Sequence, residues 1–514
     1  MHGEQKMKQT QPFFYDVTLR DGNQSLKRPW SLSEKEYIFN KLLNLGIQGI
    51  EVGFPNASQM DFEACSKLAS IAPDNVVISV LARCVEEDIL KAIEAVQNCA
   101  KPRLHLFISM SPFNMKYVLN KNPNEVRKKA VEAVKFAKQA LGNKGEIQFS
   151  VEHFGDCLEN LDWVIAALKE IVKAGASIIN LPNTVERTRP AIFLSMVEKV
   201  KKALGKDVTI GVHCHNDLGM ATAVTVESYF KGAIQLECCL NGLGERAGNT
   251  DFAQVAVALH NSDVNTGINL ENIYETTLIV AEMAKNPIPA KSPLVGQEVL
   301  SHRSGIHQDG ALKTKDMDKG AYRPINPALI GRKDDEKIGF TSQSGKTAIF
   351  EIIKEAGYPI TMQEAVRITP MIKSASEKVG ELPTRNIIDI YFNEVFNVKG
   401  PFKLISFEKE SDTAYALKFN YLDKTYEILG NGNGPVASCF DALKQAGFNY
   451  NLSHYQQSAL DEELNGSNAV AMSVMHFVLD DGRTIISRAK DENTSVANVK
   501  AIINGLNIIA SLNN

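Results

Sequence analysis

Residues 145–183 read GEIQFSVEHFGDCLENLDWVIAALKEIVKAGASIINLPN, and this stretch holds one complete unit of strand, helix and strand. The short β-rich runs Gly145–Glu152 and Ser177–Asn183 flank Leu158–Ala174, whose apolar residues recur at helical spacing with lysines and glutamates on the other face. Strand runs that alternate with amphipathic helices are typical of parallel sheets. The stretch therefore predicts an α/β fold.

The same alternation extends from Phe13 to about Asn261 and contains eight strand runs. The predicted strands are Phe13–Leu19, Gly49–Phe54, Val76–Leu81, Arg103–Met110, Gly145–Glu152, Ser177–Asn183, Val208–His215 and Ala233–Asn241. An open sheet would leave two unpaired edges, and no glycine fingerprint for dinucleotides follows the first run. Eight repeats therefore favour a closed (β/α)8 TIM barrel, whose chemistry gathers where strands end and loops begin.

The pattern changes near Asn286, where a proline-rich segment resists helix continuation. Beyond it we expect a loop-rich part and then helices at Ser344–Ala356 and Met362–Val379, followed from about Ile387 by an α+β texture of domain size. The predicted organisation is a disordered tail over residues 1–11, a barrel over 12–287, linker subdomains over 288–386 and an α+β domain over 387–514.

Composition narrows the class of protein. The formal net charge is -4, so neither nucleic acid nor an anionic membrane is an expected partner. The N-terminal residues are polar without an apolar signal core, and no uncharged apolar run reaches the length of a membrane span. The eight cysteines lack a C-x-x-C pair, which indicates reduced thiols and a cytoplasmic location.

Two motifs at strand ends predict a metal site. His213 and His215 end the seventh strand, and side chains alternate along a strand, so both imidazoles face the same way. Asp21 follows the first strand, which we expect to lie close to the seventh around the ring. One carboxylate and two imidazoles suit Zn2+, Mn2+, Co2+ or Mg2+. The alternative is two histidines that are merely packed or exposed.

Further polar residues fall at the same end of the predicted barrel. The segment Asn241–Asn249 contains three glycines that would let backbone approach a ligand, and Asn249 could reach the same ion; a plain glycine-rich loop is the alternative. Four other strand-end residues are candidates for substrate binding or catalysis: His105, Ser150, Glu152 and Thr184. Contributions from six of the eight strands indicate an active site.

These residues resemble a known family, the α-isopropylmalate synthases, within a wider group of metal-dependent Claisen-condensing enzymes and lyases that includes homocitrate and citramalate synthases. The segments that carry the resemblance are Thr18–Gln24, Asn180–Glu186, His213–Asp217, Gly242–Asn249, Ser304–Gly310 and Gly432–Val436. They occur in the family's order over almost the whole chain.

The resemblance implies a role for each matching position. The implied metal ligands are Asp21, His213 and His215, with Asn249 nearby or coordinating. Arg20 would stabilise the oxyanion formed from the keto group, and Thr184 would bind the carboxylate of the keto acid. The implied acid and base residues are Glu152, His307 and Tyr322.

The resemblance also implies the reaction and the assembly. Acetyl-CoA and a 2-keto acid would be the substrates, and water would cleave the thioester. The linker bearing His307 and Tyr322 would reach into the partner's barrel, so a homodimer is implied, and the C-terminal module would bind leucine as a feedback effector.

The sequence leaves the identity of the 2-keto acid open, because Ser109–Pro112 and Ser150–Phe154 differ from the residues that are commonest in the family at these positions. We expect 2-oxoisovalerate, as in a 2-isopropylmalate synthase of leucine biosynthesis. Pyruvate or 2-oxoglutarate would instead make the chain a citramalate or homocitrate synthase. A retro-aldol lyase on the same barrel and a catalytically silent amino acid sensor are the remaining alternatives.

Overall fold

The computed structural model describes residues 10–333, 337–459 and 469–512, so most of the predicted N-terminal tail lies outside the described residues. The described chain divides into two compact units. The first runs to Leu300 and includes the segment that begins at Arg323; the second contains Ser301–Tyr322 and the residues from 337 onward.

The first unit is a closed barrel of eight parallel strands in sequence order, as the sequence predicted. The strands are β1 (Phe13–Asp16), β2 (Gly49–Gly53), β3 (Val77–Arg83), β4 (Pro102–Ser109), β5 (Glu146–Glu152), β6 (Ile178–Asn183), β7 (Thr209–Cys214) and β8 (Gln235–Cys238). Pairing of β1 with both β2 and β8 closes the ring. The first and seventh strands are therefore both neighbours of β8 rather than of each other.

Each strand is followed by a helix on the outside of the barrel. These helices are Leu32–Asn44, Gln59–Ile71, Glu86–Val96, Pro123–Leu141, Leu161–Ala174, Pro190–Leu204, Ala221–Phe230 and Phe252–Asn261, with Pro112–Tyr117 and Ile273–Met283 in addition. The helix Leu161–Ala174 buries Leu161, Val164, Leu168 and Ile171, a spacing of three to four residues that gives one apolar face. Its predicted start at Leu158 instead forms a short 3-10 turn.

The interior of the barrel is polar, unlike the branched apolar layers that usually fill this fold. Arg103 on β4 donates to Gln235 on β8 over 2.7 Å, a bond between strands that are not adjacent and that therefore crosses the interior. The buried polar side chains of this interior are Tyr15, Glu51, Ser79, Arg103, His105, Gln148, Ser150, Asn180, His213, Gln235 and Glu237. Apolar residues between them face the outer helices and form the core.

The second unit begins with a short parallel pair, β9 (Ser301–His302) and β10 (Lys337–Ile338). Its first helices are Gly305–Lys313, Lys346–Glu355, Met362–Val379 and Thr384–Tyr391. Two antiparallel three-stranded sheets follow: β11 (Phe402–Lys409), β12 (Ala414–Tyr421) and β13 (Lys424–Asn431), then β14 (Asn451–Ala459), β15 (Ala471–Val478) and β16 (Thr484–Asp491). The helices Pro435–Gln445 and Thr494–Leu512 pack on them.

The predicted linker helices and the terminal α+β module share this unit. A buried ion pair joins them, with Arg488 Nε on β16 lying 2.6 Å from Glu364 Oε1 on the helix Met362–Val379. The helix Thr494–Leu512 is long and apolar enough to span a membrane by length and composition, but 67% of its most apolar 18-residue window is buried. Its buried side chains belong to the core of the module, which is the ordinary position of a core helix.

Candidate active site

A cavity of about 280 Å³ opens at the carboxyl ends of the barrel strands. Its lining residues are Arg20, Asp21, Gln24, Phe54, Leu81, His105, Phe107, Ser150, Glu152, Asn180, Pro182, Thr184, His213, His215 and Glu237. All the site residues that the sequence predicted within the barrel line this cavity except Asn249, which contacts Asp21. The carboxyl-terminal end of the strands is where barrel enzymes carry their chemistry.

The structure brings together the three predicted metal ligands. Asp21 lies in the π-helical turn Thr18–Gly22 after β1, His213 lies on β7 and His215 follows β7. The Nε2 atoms of the two histidines are 3.3 Å apart, and His213 Nε2 lies 3.9 Å from Asp21 Oδ2. One ligand atom from each residue lies within 4.8 Å of the others, so a single cation could be held between them.

Asn249 completes this cluster through the glycine-rich loop after β8. Its Nδ2 donates to Asp21 Oδ1 over 2.8 Å, and its Oδ1 is buried with no hydrogen-bond partner in the part of the chain that is described. A Cβ at Gly244 would stand 2.3 Å from Asn249 Nδ2. Glycine is therefore required at position 244 for this approach.

The protonation states suit a bound cation. Burial alone would raise the pKa of Asp21, but Arg20, the two histidines and the hydrogen bond from Asn249 lower it below its usual range. Burial, followed by the charge of His213, lowers the pKa of His215 to about 3. An ionised carboxylate and a neutral imidazole are the forms that bind metal, so the residues present fit a divalent ion.

A chain of buried hydrogen bonds positions the rest of the site. Arg20 Nε donates to Glu51 Oε2 over 2.6 Å, and its Nη1 forms an ion pair with Asp21. The other oxygen of Glu51 lies 2.5 Å from His105 Nδ1, and His105 Nε2 lies 2.6 Å from Ser150 Oγ. Burial raises the pKa of Glu51, but the charges of Arg20 and His105 outweigh burial and lower it. This series of hydrogen bonds holds Arg20 at the cavity wall.

Glu152 and Thr184 lie at the ends of β5 and β6 on the same cavity. Burial raises the pKa of Glu152, and the nearby His153 opposes the shift only in part. The backbone N–H of His153 donates to Thr184 Oγ1 over 2.9 Å. The carboxyl group of Glu152 is therefore easier to protonate than an exposed one, as an acid or base working near neutral pH requires.

The remaining predicted residues, His307 and Tyr322, lie in the second unit. His307 is exposed on the helix Gly305–Lys313, and its ring stacks on that of Tyr322 with centroids 4.2 Å apart. A Cβ at Gly310 would stand 2.6 Å from the Tyr322 ring, which explains a glycine there. The structure thus places these two residues side by side.

Two buried carboxylates of the site, Glu51 and Glu237, were not among the residues predicted from the sequence. A signal was present, because a charged residue in the middle of an apolar strand is rarely buried without a partner. Glu51 stands in Gly49–Gly53, and Glu237 follows Gln235 at the two-residue spacing of one strand face. The partners come from distant strands, so the spacing alone could not name them.

Three family models match the chain in succession. Residues 11–280 match the HMGL-like family, residues 297–354 match the alpha-isopropylmalate synthase, post-catalytic domain-like family, and residues 382–510 match the LeuA allosteric (dimerisation) domain. The first match covers the whole barrel, and the other two cover most of the second unit. The order of domains predicted from the resemblance is the order in which these models match.

Curated relatives agree with these matches. A 2-isopropylmalate synthase 2 of Leptospira interrogans is 54% identical over 369 residues, which cover 72% of this chain and 86% of the relative. The 2-isopropylmalate synthase of Geobacillus thermodenitrificans is 33% identical and covers 96% of both chains. That of Pyrococcus abyssi is 34% identical over 87% of this chain and 92% of its own. The chain belongs to the 2-isopropylmalate synthase family.

Proposed function

We propose that this chain condenses the acetyl group of acetyl-CoA with 2-oxoisovalerate and water to give 2-isopropylmalate and CoA, the committed step toward leucine. The family assignment makes it an acyltransferase. The observation that carries the proposal is one cavity in which Asp21, His213 and His215 converge beside the guanidinium of Arg20. We further propose that it works in the cytoplasm.

A divalent ion held by Asp21, His213 and His215 would polarise the ketone of the bound acid. Arg20 offers fixed positive charge where negative charge grows on the keto oxygen, the logic of an oxyanion hole. Glu51 and Asp21 fix the position of Arg20, so little reorganisation is needed during the reaction. The hydroxyl of Thr184 lies on the same cavity and would bind the carboxylate of the acid.

The wall of the cavity supports 2-oxoisovalerate as the acceptor. Phe54, Leu81 and Phe107 come from or directly follow the adjacent strands β2, β3 and β4 and line one apolar side. Arg20 is the one lysine or arginine among the described lining residues, and it is already paired with two carboxylates. The second carboxylate of 2-oxoglutarate would find no free cation there, whereas an isopropyl group fits an apolar wall.

We expect a panel of keto acids to show this preference in a thiol-release assay. The value of kcat/KM should be highest with 2-oxoisovalerate and at least about 10- to 200-fold lower with pyruvate, because pyruvate lacks two carbons of the isopropyl group and one missing methylene is worth roughly that factor. 2-Oxoglutarate should react near background. A clear preference for pyruvate or 2-oxoglutarate would reassign the chain as a citramalate or homocitrate synthase, and cleavage of a hydroxyacyl substrate without condensation would indicate a lyase.

Proton transfer is assigned to Glu152, His307 and Tyr322. Abstraction of a proton from the acetyl methyl needs a positioned base, and Glu152 stands at the cavity with a raised pKa. His307 and Tyr322 would be supplied by the linker of a second subunit. The match to an allosteric (dimerisation) domain supports a regulated dimer, and leucine is the effector that we propose for it.

Acetyl-CoA would bind along a second groove of about 970 Å³ on the same face of the barrel. The groove reaches Asn249, and its lining carries five cations: Lys27, Arg28, Arg246, Lys285 and Lys291. Asp251 is the one acidic group among its described lining residues. CoA carries a diphosphate and a 3′-phosphate, which basic side chains recognise.

Charge reversal in this groove should weaken binding of acetyl-CoA selectively. We expect Lys27→Glu with Lys285→Glu to raise the KM for acetyl-CoA by about 10-fold or more, since a charge-assisted hydrogen bond contributes about 1.5–3 kcal/mol. The KM for 2-oxoisovalerate should not change. Lys128→Glu, at an exposed position on the helix Pro123–Leu141, is the matched control. An equal rise with acetyl-pantetheine, which lacks these phosphates, would contradict the assignment.

A further inference from the structure

Glu237 is a buried carboxylate that has no assigned role in the proposed reaction. It lies on β8 inside the barrel, where it contributes to the lining of the cavity, and its side chain is buried. Gln148 Nε2 donates to its Oε1 over 2.7 Å, and Gln235 Nε2 donates to the same oxygen over 3.1 Å. Both glutamines thus hold one oxygen of Glu237 and leave the other free.

The free oxygen faces a candidate metal ligand. Glu237 Oε2 lies 3.1 Å from His213 Nδ1, and neither of these buried atoms has a hydrogen-bond partner in the described part of the chain. The opposite ring nitrogen, His213 Nε2, lies 3.3 Å from His215 Nε2 and 3.9 Å from Asp21 Oδ2. The imidazole of His213 therefore has Glu237 next to Nδ1 and the other two candidate ligands next to Nε2.

We propose that Glu237 is a positioning residue that accepts a hydrogen bond from the Nδ1–H of His213. This bond keeps the lone pair of His213 Nε2 directed at the metal position that Asp21 and His215 also face. A neutral imidazole carries its proton on one nitrogen only, so the partner of that nitrogen decides which one can bind a metal. Carboxylates that hold a ligand histidine in this way raise its basicity and fix its ring. The inference rests on the proposed metal site.

The arrangement predicts that glutamine cannot replace Glu237 although it has the same shape. Gln148 and Gln235 both donate to Oε1, so they would retain the amide oxygen of a glutamine at that position. Its amide N–H would then point at His213 Nδ1, which would have to accept. The proton of the imidazole would move to Nε2 and block the lone pair that the metal needs.

The test is titration of Co2+ or Mn2+ into metal-free full-length protein by calorimetry. We expect Glu237→Gln to raise the Kd of the metal about 10- to 100-fold, the usual cost of losing such a partner. Activity should recover in part at saturating metal, and the unfolding temperature of the metal-free protein should change little. Glu364→Gln, which removes a buried carboxylate from the second unit, should leave the Kd unchanged.

A second measurement on the unmutated protein keeps the inference testable if the variant does not fold. With ¹⁵N-labelled histidine and Zn2+ bound, the spectrum of His213 should show the proton on Nδ1 and the metal on Nε2. A Kd within twofold of wild type for Glu237→Gln, or metal on Nδ1, would overturn the role of Glu237. Failure of the unmutated protein to bind any divalent ion would instead overturn the proposed metal site.

Discussion

The His213→Ala variant is expected to lose both its metal and its activity. His213 supplies one of three ligands, and its Nε2 stands between Asp21 and His215, so its removal leaves two ligands for the ion. A Lewis-acid metal contributes several kcal/mol to the stability of a transition state, which corresponds to a rate loss of about 10³-fold or more. Metal content by elemental analysis and thiol release on the same sample measure both effects.

The matched control is His260→Ala. His260 is exposed at the end of the helix Phe252–Asn261 in the same unit, so its loss should change neither metal content nor rate. Circular dichroism of the metal-free His213→Ala protein should match wild type. A variant that stays active with a full complement of metal would remove His213 from the set of ligands.

The His307→Ala variant is expected to keep metal and keto acid binding but to lose about 10²- to 10⁴-fold in kcat, the usual contribution of a positioned acid or base. The metal ligands, Arg20 and Thr184 all belong to the barrel unit, whereas His307 and Tyr322 belong to the other. Binding and proton transfer should therefore separate in this variant. Calorimetry with 2-oxoisovalerate and the thiol-release assay report on the two properties.

Mixing the two inactive variants tests whether the linker serves the barrel of its partner. A heterodimer of His213→Ala and His307→Ala subunits would contain one barrel with intact ligands served by one intact linker. Random exchange of subunits in a symmetric dimer should then restore about a quarter of wild-type activity. Mixing His213→Ala with Asp21→Ala should restore no activity, because neither kind of subunit has a barrel with all its metal ligands. No recovery in verified heterodimers of the first pair would contradict exchange of linkers between subunits.

The sequence was sufficient for the barrel because its signals are local. The run Ser177–Asn183 predicted a strand that the structure bounds at Ile178–Asn183, and the predicted helix Met362–Val379 has the same bounds in the structure. The ends of the strands were predicted less accurately. The first run was predicted to continue to Leu19, but β1 ends at Asp16 and Thr18–Gly22 coils into the turn that carries Asp21.

The candidate metal ligands could be predicted because their placement follows from two simple rules. His213 and His215 share a face through the two-residue period of a strand, and Asp21 follows a strand whose carboxyl end lies on the same rim of the barrel. Chain closure brings β1 and β7 to either side of β8. The resemblance assigned their roles, and the structure places the three groups within reach of one ion.

The α/β class, the eightfold repeat, the family and the candidate ligands were all predictable from the sequence, since each depends on periodicity or on short motifs. The support of the site depends on the three-dimensional fold: Glu51 joins Arg20 to His105, Glu237 faces His213, and an apolar wall forms from three strands. These contacts join residues far apart in the chain. Which residues pair depends on closure of the barrel and on the need to pair every buried charge, and short sequence patterns reveal neither.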